Sequence, residues 1–191
     1  GLMGAALAVC AWLRGAAVTA VCGPGVSYAL PRDLDRRDVT NAREMHAVAA
    51  ALWPGMDMGI FTAAVADFSP KPLGPHKFKK AAAPQGFSVD FTPNPDILQT
   101  LATARAPHQK VLGFAAETAP DMAALLPLAR AKLARKNADL LAANRVNSAD
   151  SGFAAPTNSL AVADATGREE IWPNQSKADA AWDLCTWLLR L

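Results

Sequence analysis

Val111-Leu112-Gly113-Phe114-Ala115-Ala116-Glu117-Thr118 is the stretch on which the fold turns. Its first four residues form a short apolar run that reads as a buried strand, and the residues after it read as the turn at the strand's carboxyl end. A helical pattern follows from about Pro120 to Asn137, where Pro127 predicts a kink or break. Asp139 to Ala143 reads as the next strand. A strand, a helix long enough to cross over and a second strand make a parallel pair, so the chain is expected to be α/β.

Working outward, the same alternation continues. Met3 to Leu13 reads as a helix ended near Gly15, and Val18 to Cys22 as a buried strand closed by Gly23-Pro24. Residues 25–38 read as loop. Thr40 is the expected cap of a helix running to about Trp53, stopped by Pro54-Gly55, and Met58 to Ala63 is a second buried strand. Ala64 to Lys80, rich in Pro, Gly and Lys, has neither period and is expected to be a functional lid spanning about 68–82. Phe87, Val89 and Phe91 alternate with polar residues, as in a half-exposed strand. Asn94-Pro95-Asp96 reads as a helix start, with Asn94 as the cap and Pro95 at the first position. After the 139–143 strand, residues 144–158 read as a polar connection. Leu160 to Ala165 and Glu169 to Trp172 flank Thr166-Gly167 as a hairpin. Ser176 caps a last helix expected to bury Trp182, Leu184, Cys185, Trp187 and Leu188. The sum is a mainly parallel sheet with flanking helices and a C-terminal antiparallel hairpin extension.

Composition narrows the function. The chain has 191 residues and a formal charge of +2, so no strong field for nucleic acid is expected. No stretch is long and apolar enough for a membrane span. Cys10, Cys22 and Cys185 make no CxxC pair and suit reduced core thiols of a cytoplasmic protein, and His46, His76 and His108 show no metal-ligand spacing. The chain opens on Gly1-Leu2-Met3-Gly4 already inside a helical pattern, which leads us to expect an N-terminally incomplete single domain over 1–191.

In open α/β sheets ligands bind beyond the carboxyl ends of the strands. Ala66-Asp67 and Ala115 to Thr118 fall there. His76-Lys77-Phe78-Lys79-Lys80 places three lysines on the lid, suited to a polyphosphate and equally to a solvated basic loop. Asp67 suits a Mg²⁺ or ribose contact, or a turn. The helix start at Pro95 offers free backbone N–H groups to an acceptor. Lys132 and Lys136, four apart, share a helix face and suit either a second phosphate or the helix C-terminus.

In order along the chain, Gly1-Leu2-Met3-Gly4-Ala5, Ala63-Ala64-Val65-Ala66-Asp67-Phe68, Lys77-Phe78-Lys79-Lys80, Asn94-Pro95-Asp96-Ile97-Leu98, Gly113 to Thr118, Lys132 to Asp139 and Ala143-Asn144 resemble the phosphopantothenoylcysteine synthetase (phosphopantothenate–cysteine ligase) family. The resemblance implies a Rossmann-like sheet and a ligase that joins 4′-phosphopantothenate to cysteine through an acyl-cytidylate, with CTP and Mg²⁺. It also implies a homodimer, with 159–172 and 25–38 as candidate contact elements, and a decarboxylase fused or associated upstream. By the same resemblance Lys77 is the catalytic lid lysine. Asp67, Pro95, Asp96, Ile97, Leu98, Phe114, Lys132 and Lys136 bind the nucleotide, joined by backbone at Phe61, Thr62 and Ala63. The family's upstream glycine-rich loop, with an asparagine and an arginine used for the intermediate, has no counterpart here. The alternative is therefore a nucleotide-binding module without ligase turnover. A dehydrogenase is not supported, since no GxGxxG follows a strand, nor is a Ser or Cys hydrolase, since no nucleophile elbow is present.

Overall fold

The structure, a computed structural model, describes residues 1–26, 28–72, 74, 79, 85–146 and 155–191. Its main sheet has five strands: β3 (Met58–Phe61), β6 (Lys110–Glu117), β7 (Leu140–Arg145), β8 (Thr157–Asp164) and β9 (Glu169–Ser176), in that spatial order. β3, β6 and β7 are parallel, and β8 and β9 are antiparallel additions at one edge, as the sequence leads one to expect. Two smaller pairs stand apart, parallel β1 (Thr19–Cys22) with β2 (Asp35–Asp38), and antiparallel β4 (Phe68–Pro70) with β5 (Phe91–Pro93).

Helices cover both faces of the main sheet. On one side α1 (Leu2–Leu13) and α5 (Lys177–Leu188) enclose Leu112, Leu140, Leu160 and Val162, all fully buried. On the other, α2 (Ala42–Leu52), α3 (Ile97–Thr103) and α4 (Met122–Lys136) pack over Val111, Ala115, Leu141 and Ala161. The two sets alternate along β6, because successive strand residues point to opposite faces. Cutting Leu112 or Leu141 back to Ala would cost about 2–5 kcal/mol, the usual range for a collapsed-poor buried leucine site. At the amino end of the sheet the buried Gln109 ties β6 to the turn before β3: its Nε2 donates to the Trp53 carbonyl at 2.7 Å and the Met56 carbonyl at 2.6 Å.

Several expectations are corrected. β2 lies inside the segment read as loop, because Asp35-Arg36-Arg37-Asp38 is exposed and carries no apolar pattern. The α2 cap is Asn41, whose side chain accepts from the Glu44 N–H at 2.9 Å. Thr40 instead donates both its N–H and O–H to the Glu44 carboxylate at 2.6 Å, and these bonds hold that carboxyl below its ordinary range. β4 falls in the stretch expected to lack structure, and the paired part of the aromatic strand begins only at Phe91. α4 runs unbroken through Pro127 and ends at Asn137 in the left-handed conformation (φ 53°). Ser176 does cap α5, accepting from the Asp179 N–H at 3.0 Å, but Trp182 is half exposed, with the Arg14 guanidinium stacked 4.0 Å from its ring centre. The three cysteines are free and buried, and burial beside Cys10 pushes the Cys185 thiol up to about 12. Among the described residues no helix is long and apolar enough to cross a membrane.

Candidate functional site

The carboxyl ends of β3, β6 and β7 lie on one edge of the sheet because the three strands are parallel. β6 runs on past its last pairing with β3, Phe61 with Gly113, to reach Glu117, which pairs in register with Arg145. Glu117 shares the β6 face of Val111 and Ala115, the face covered by α4. There its carboxylate meets the Lys132 ammonium in a half-buried ion pair. One turn further along α4, Lys136 pairs with Asp96, and its side chain is only 16% exposed. The two lysines thus share one helix face, as their spacing leads one to expect, Lys132 reaching the end of β6 and Lys136 the start of α3. Each is already engaged by a carboxylate.

Asp96, not Asn94, is the α3 cap. Its Oδ1 accepts from the Gln99 N–H at 3.1 Å while Oδ2 takes Lys136. Partial burial pushes the Asp96 carboxyl up, but the Lys136 ammonium and the Gln99 amide outweigh it and hold the group below the usual carboxylate range. Asp96 thereby takes one of the N–H groups at this helix start, that of Gln99. Pro95 and Leu98 are half-buried and Ile97 is buried; Leu98 covers Gly113 so closely that an added Cβ there would meet Leu98 Cδ2 at 2.7 Å. A glycine at 113 is what lets α3 lie against β6.

Asn94 does different work. Its Nδ2 donates to the Ala66 carbonyl at 2.9 Å, its Oδ1 accepts from Ser69 Oγ at 2.8 Å, and its N–H donates to the Asp67 carbonyl at 2.8 Å. Asp67 is exposed, and its carboxylate makes no hydrogen bond or ion pair among the described residues. Phe61, Thr62 and Ala63 lead from β3 into this segment, and Thr62 abuts Gly4 of α1. Phe114 lies on the α1 and α5 face of the sheet, away from the lysine pair. The sequence-identified residues therefore gather at one edge but on two faces: Thr62 and Phe114 toward α1, and Asp96, Lys132 and Lys136 toward α4. Lys77 lies outside the described residues.

Sequence reasoning reads Ala115 to Thr118 as the turn after the strand, whereas β6 continues to Glu117, and it passes over the tertiary hydrogen bonds of Asn94. The signal for Glu117 is an acid directly following an apolar run. Nothing local distinguishes Asn94 from an ordinary cap.

The comparisons with known proteins agree with this architecture. The coenzyme A biosynthesis bifunctional protein CoaBC of Bacillus subtilis (strain 168) is 37% identical over 185 residues, covering 96% of this chain and 44% of that protein. A cysteine/cysteine sulfinic acid decarboxylase from an unknown prokaryotic organism is 31% identical over 191 residues, covering 100% of this chain and 52% of that protein. The chain thus spans about half the length of the curated relatives it matches. The crystal structure of the C-terminal domain of a CoaBC superposes with a TM-score of 0.76 at 27% identity, covering 98% of this chain and 80% of that one. Residues 1–191 match throughout the family described as the DNA/pantothenate metabolism flavoprotein C-terminal domain, and the chain belongs to that family.

Proposed function

We propose that residues 1–191 form one ligase domain that joins 4′-phosphopantothenate to cysteine at the expense of CTP, as the synthetase step of coenzyme A biosynthesis. The observation that carries the reading is the pair of cations on one face of α4, Lys132 and Lys136, paired with Glu117 at the carboxyl end of β6 and with Asp96 at the start of α3. The similarity to CoaBC supplies the substrate class.

In this reading the phosphopantothenate carboxylate oxygen attacks the α-phosphorus of CTP. The bond from that phosphorus to the β-phosphate bridge oxygen breaks, and pyrophosphate leaves. The cysteine amine then attacks the acyl carbon of the acyl-cytidylate, the acyl–oxygen bond breaks, CMP departs, and the amine loses a proton. Nothing here requires a covalent protein nucleophile; positioning and positive charge suffice. Lys132 and Lys136 exchange their carboxylate partners for phosphate oxygens, which leaves Glu117 and Asp96 to hold the ammonium groups in place when the site is empty. Asp67 accepts from the ribose. Backbone at Phe61, Thr62 and Ala63, with Pro95 to Leu98 and Phe114, shapes the nucleoside side. Lys77, on the lid, closes over the phosphates. Mg²⁺ arrives on the triphosphate, whose oxygens supply most of its ligands; among the described residues no group of three or more His, Cys, Asp or Glu is placed to hold a metal.

A homodimer forms part of the proposal. The contact face proposed here is the outer side of the β4–β5 ribbon, in addition to the elements at 159–172 and 25–38 suggested by sequence. Phe68 faces Pro93 and Pro70 faces Phe91 across the ribbon, and all four are exposed. A decarboxylase domain upstream, in the same or an associated chain, would supply the next reaction.

Titration calorimetry with CTP–Mg²⁺ and ATP–Mg²⁺, followed by pyrophosphate release with phosphopantothenate and cysteine added, tests the reading. Selective CTP binding with turnover is expected. Binding without turnover favours the second reading, a nucleotide-binding module. A folded chain that binds neither nucleotide sinks both.

A further inference from the structure

We infer that Asn94 is a positioning residue for the nucleotide, a latch that holds the Asp67-bearing segment in its binding conformation; this rests on the proposed role of Asp67. Three hydrogen bonds from one residue reach across four consecutive positions. The side-chain amide donates to the Ala66 carbonyl at 2.9 Å, the amide oxygen accepts from Ser69 Oγ at 2.8 Å, and the main-chain N–H donates to the Asp67 carbonyl at 2.8 Å. The Asp67 carbonyl is pinned directly, and the residues on either side are held by the side chain. The Asp67 carboxylate itself is left exposed and unpaired among the described residues.

The chemistry demands asparagine. A donor and an acceptor must leave one short side chain in opposite senses, one to a carbonyl and one from a hydroxyl. Aspartate at this position would set a carboxylate against the Ala66 carbonyl, and serine or alanine would leave one or both partners unmatched. The residue is free for this because Asp96 caps α3 in its stead. Pro95 reinforces the arrangement, since the residue before a proline is kept out of the helical region and in extended backbone.

The latch is also anchored from behind. Thr92 Oγ1 donates to the Ser69 carbonyl at 3.4 Å, and Arg43 Nη2 of α2 donates to Thr92 Oγ1 at 3.1 Å. A polar chain therefore runs from α2 through the inner side of the β4–β5 ribbon to the segment between β3 and β4. Without it that connection would have to be ordered at the moment of binding, and the ordering entropy would be subtracted from affinity.

The test is a double-mutant cycle on the full chain, read by CTP–Mg²⁺ calorimetry, with amide hydrogen exchange over 64–69. Asn94→Ala is expected to weaken CTP binding about tenfold, the size of losing matched hydrogen bonds. In an Asp67→Ala background the same change is expected to cost less than about twofold, because residues acting through one another are not additive. Exchange at 64–69 is expected to rise in Asn94→Ala while that of β6 and β7 stays as in the parent. Asn94→Asp should fail to rescue. Ser69→Ala, which removes a single bond, gives a milder version of the same pattern and serves if Asn94→Ala folds poorly. Losses that simply add in the double variant, or unchanged exchange at 64–69, would overturn the latch while leaving the nucleotide reading intact. Asp67→Ala with undiminished CTP affinity would overturn the role of Asp67, and the latch's role in binding with it.

Discussion

Gly4 in α1 lies so close to Thr62 at the end of β3 that a Cβ added to it would sit 2.6 Å from Thr62 Oγ1. That distance is below any tolerated contact, and threonine, branched at Cβ, has little rotamer freedom with which to yield. Gly4→Ala is therefore expected to lower stability by about 1–3 kcal/mol, the range for overpacking. It should also weaken CTP binding, since Thr62 belongs to the backbone proposed to meet the nucleotide. Thermal melts and calorimetry on the same variant check both. Gly15→Ala is a useful contrast: no neighbour lies within 4 Å, so its cost comes from backbone alone (φ +87°) and should leave nucleotide affinity untouched.

The two lysines on α4 invite a partner-swap experiment. Lys132→Met and Lys136→Met are each expected to weaken CTP binding about tenfold, the loss of one charge-assisted contact. Glu117→Gln and Asp96→Asn remove the competing carboxylates. Asn remains a good cap, so α3 should persist, and Gln keeps the shape at the β6 end. These two variants are expected to change affinity by no more than a few-fold and to make it more sensitive to salt, because the lysines are then less fixed. Acid variants as damaging as the lysine variants would mean that the carboxylates, not the ammonium groups, meet the ligand.

Much of this architecture is legible in the chain, and the misses have physical causes. β6, β7 and β8 are largely apolar, buried runs, so their side-chain pattern announces them, and β9 follows from the Thr166-Gly167 turn that pairs it with β8. β2 pairs through its backbone while all four of its side chains are exposed, and side-chain pattern is the only thing a sequence displays. β4 is three residues long and ends in proline. At 94–96 two good capping residues stand either side of a proline, and tertiary contacts with Ala66 and Ser69 decide between them. Trp182 falls on the helical stripe of α5, yet it is held at the surface by Arg14, a residue 168 positions away. Lys132 and Lys136 are found by spacing, but their carboxylate partners are not, since Glu117 and Asp96 reach them only through the fold.

Asp164 sets a pH dependence at the turn of the β8–β9 hairpin. Its buried carboxylate accepts from the Thr166 N–H at 2.8 Å, Thr166 Oγ1 at 2.7 Å, the Arg168 N–H at 3.1 Å and Trp187 Nε1 at 2.8 Å. Burial pushes the group up, but these donors outweigh it and hold it below the ordinary aspartate range. Between the folded and unfolded pKa the unfolded chain binds more protons, so stability rises with pH there. The contribution is complete above about pH 4, the unfolded value, and is lost as pH falls through the lower folded value. Asp164→Asn is expected to lose about 1–3 kcal/mol at neutral pH. Its stability should also fall less steeply than the parent's below about pH 4. Denaturant melts at pH 7 and at mildly acid pH check this, and parallel acid profiles for the two proteins would rule it out.

The β4–β5 ribbon is two-faced, and that bears on assembly. Ser69 and Thr92 turn inward to the Asn94 and Arg43 contacts, while Phe68, Pro70, Phe91 and Pro93 form an exposed apolar strip; Phe68 and Phe91 are 57% and 60% exposed. A strip of this kind, paired across two strands, suits association with a second copy. The double change Phe68→Ser and Phe91→Ser removes exposed side chains, so it should leave the fold intact while shifting the chain from dimer to monomer on gel filtration with light scattering. The hairpin provides the control: Ile171 on β9 is 44% exposed, and Ile171→Ser is expected to leave the dimer unchanged. A dimer lost with Ile171→Ser and kept with the phenylalanine pair would move the interface to the hairpin, where the sequence first suggested it. A parent chain that is monomeric at micromolar concentration would remove the dimer altogether.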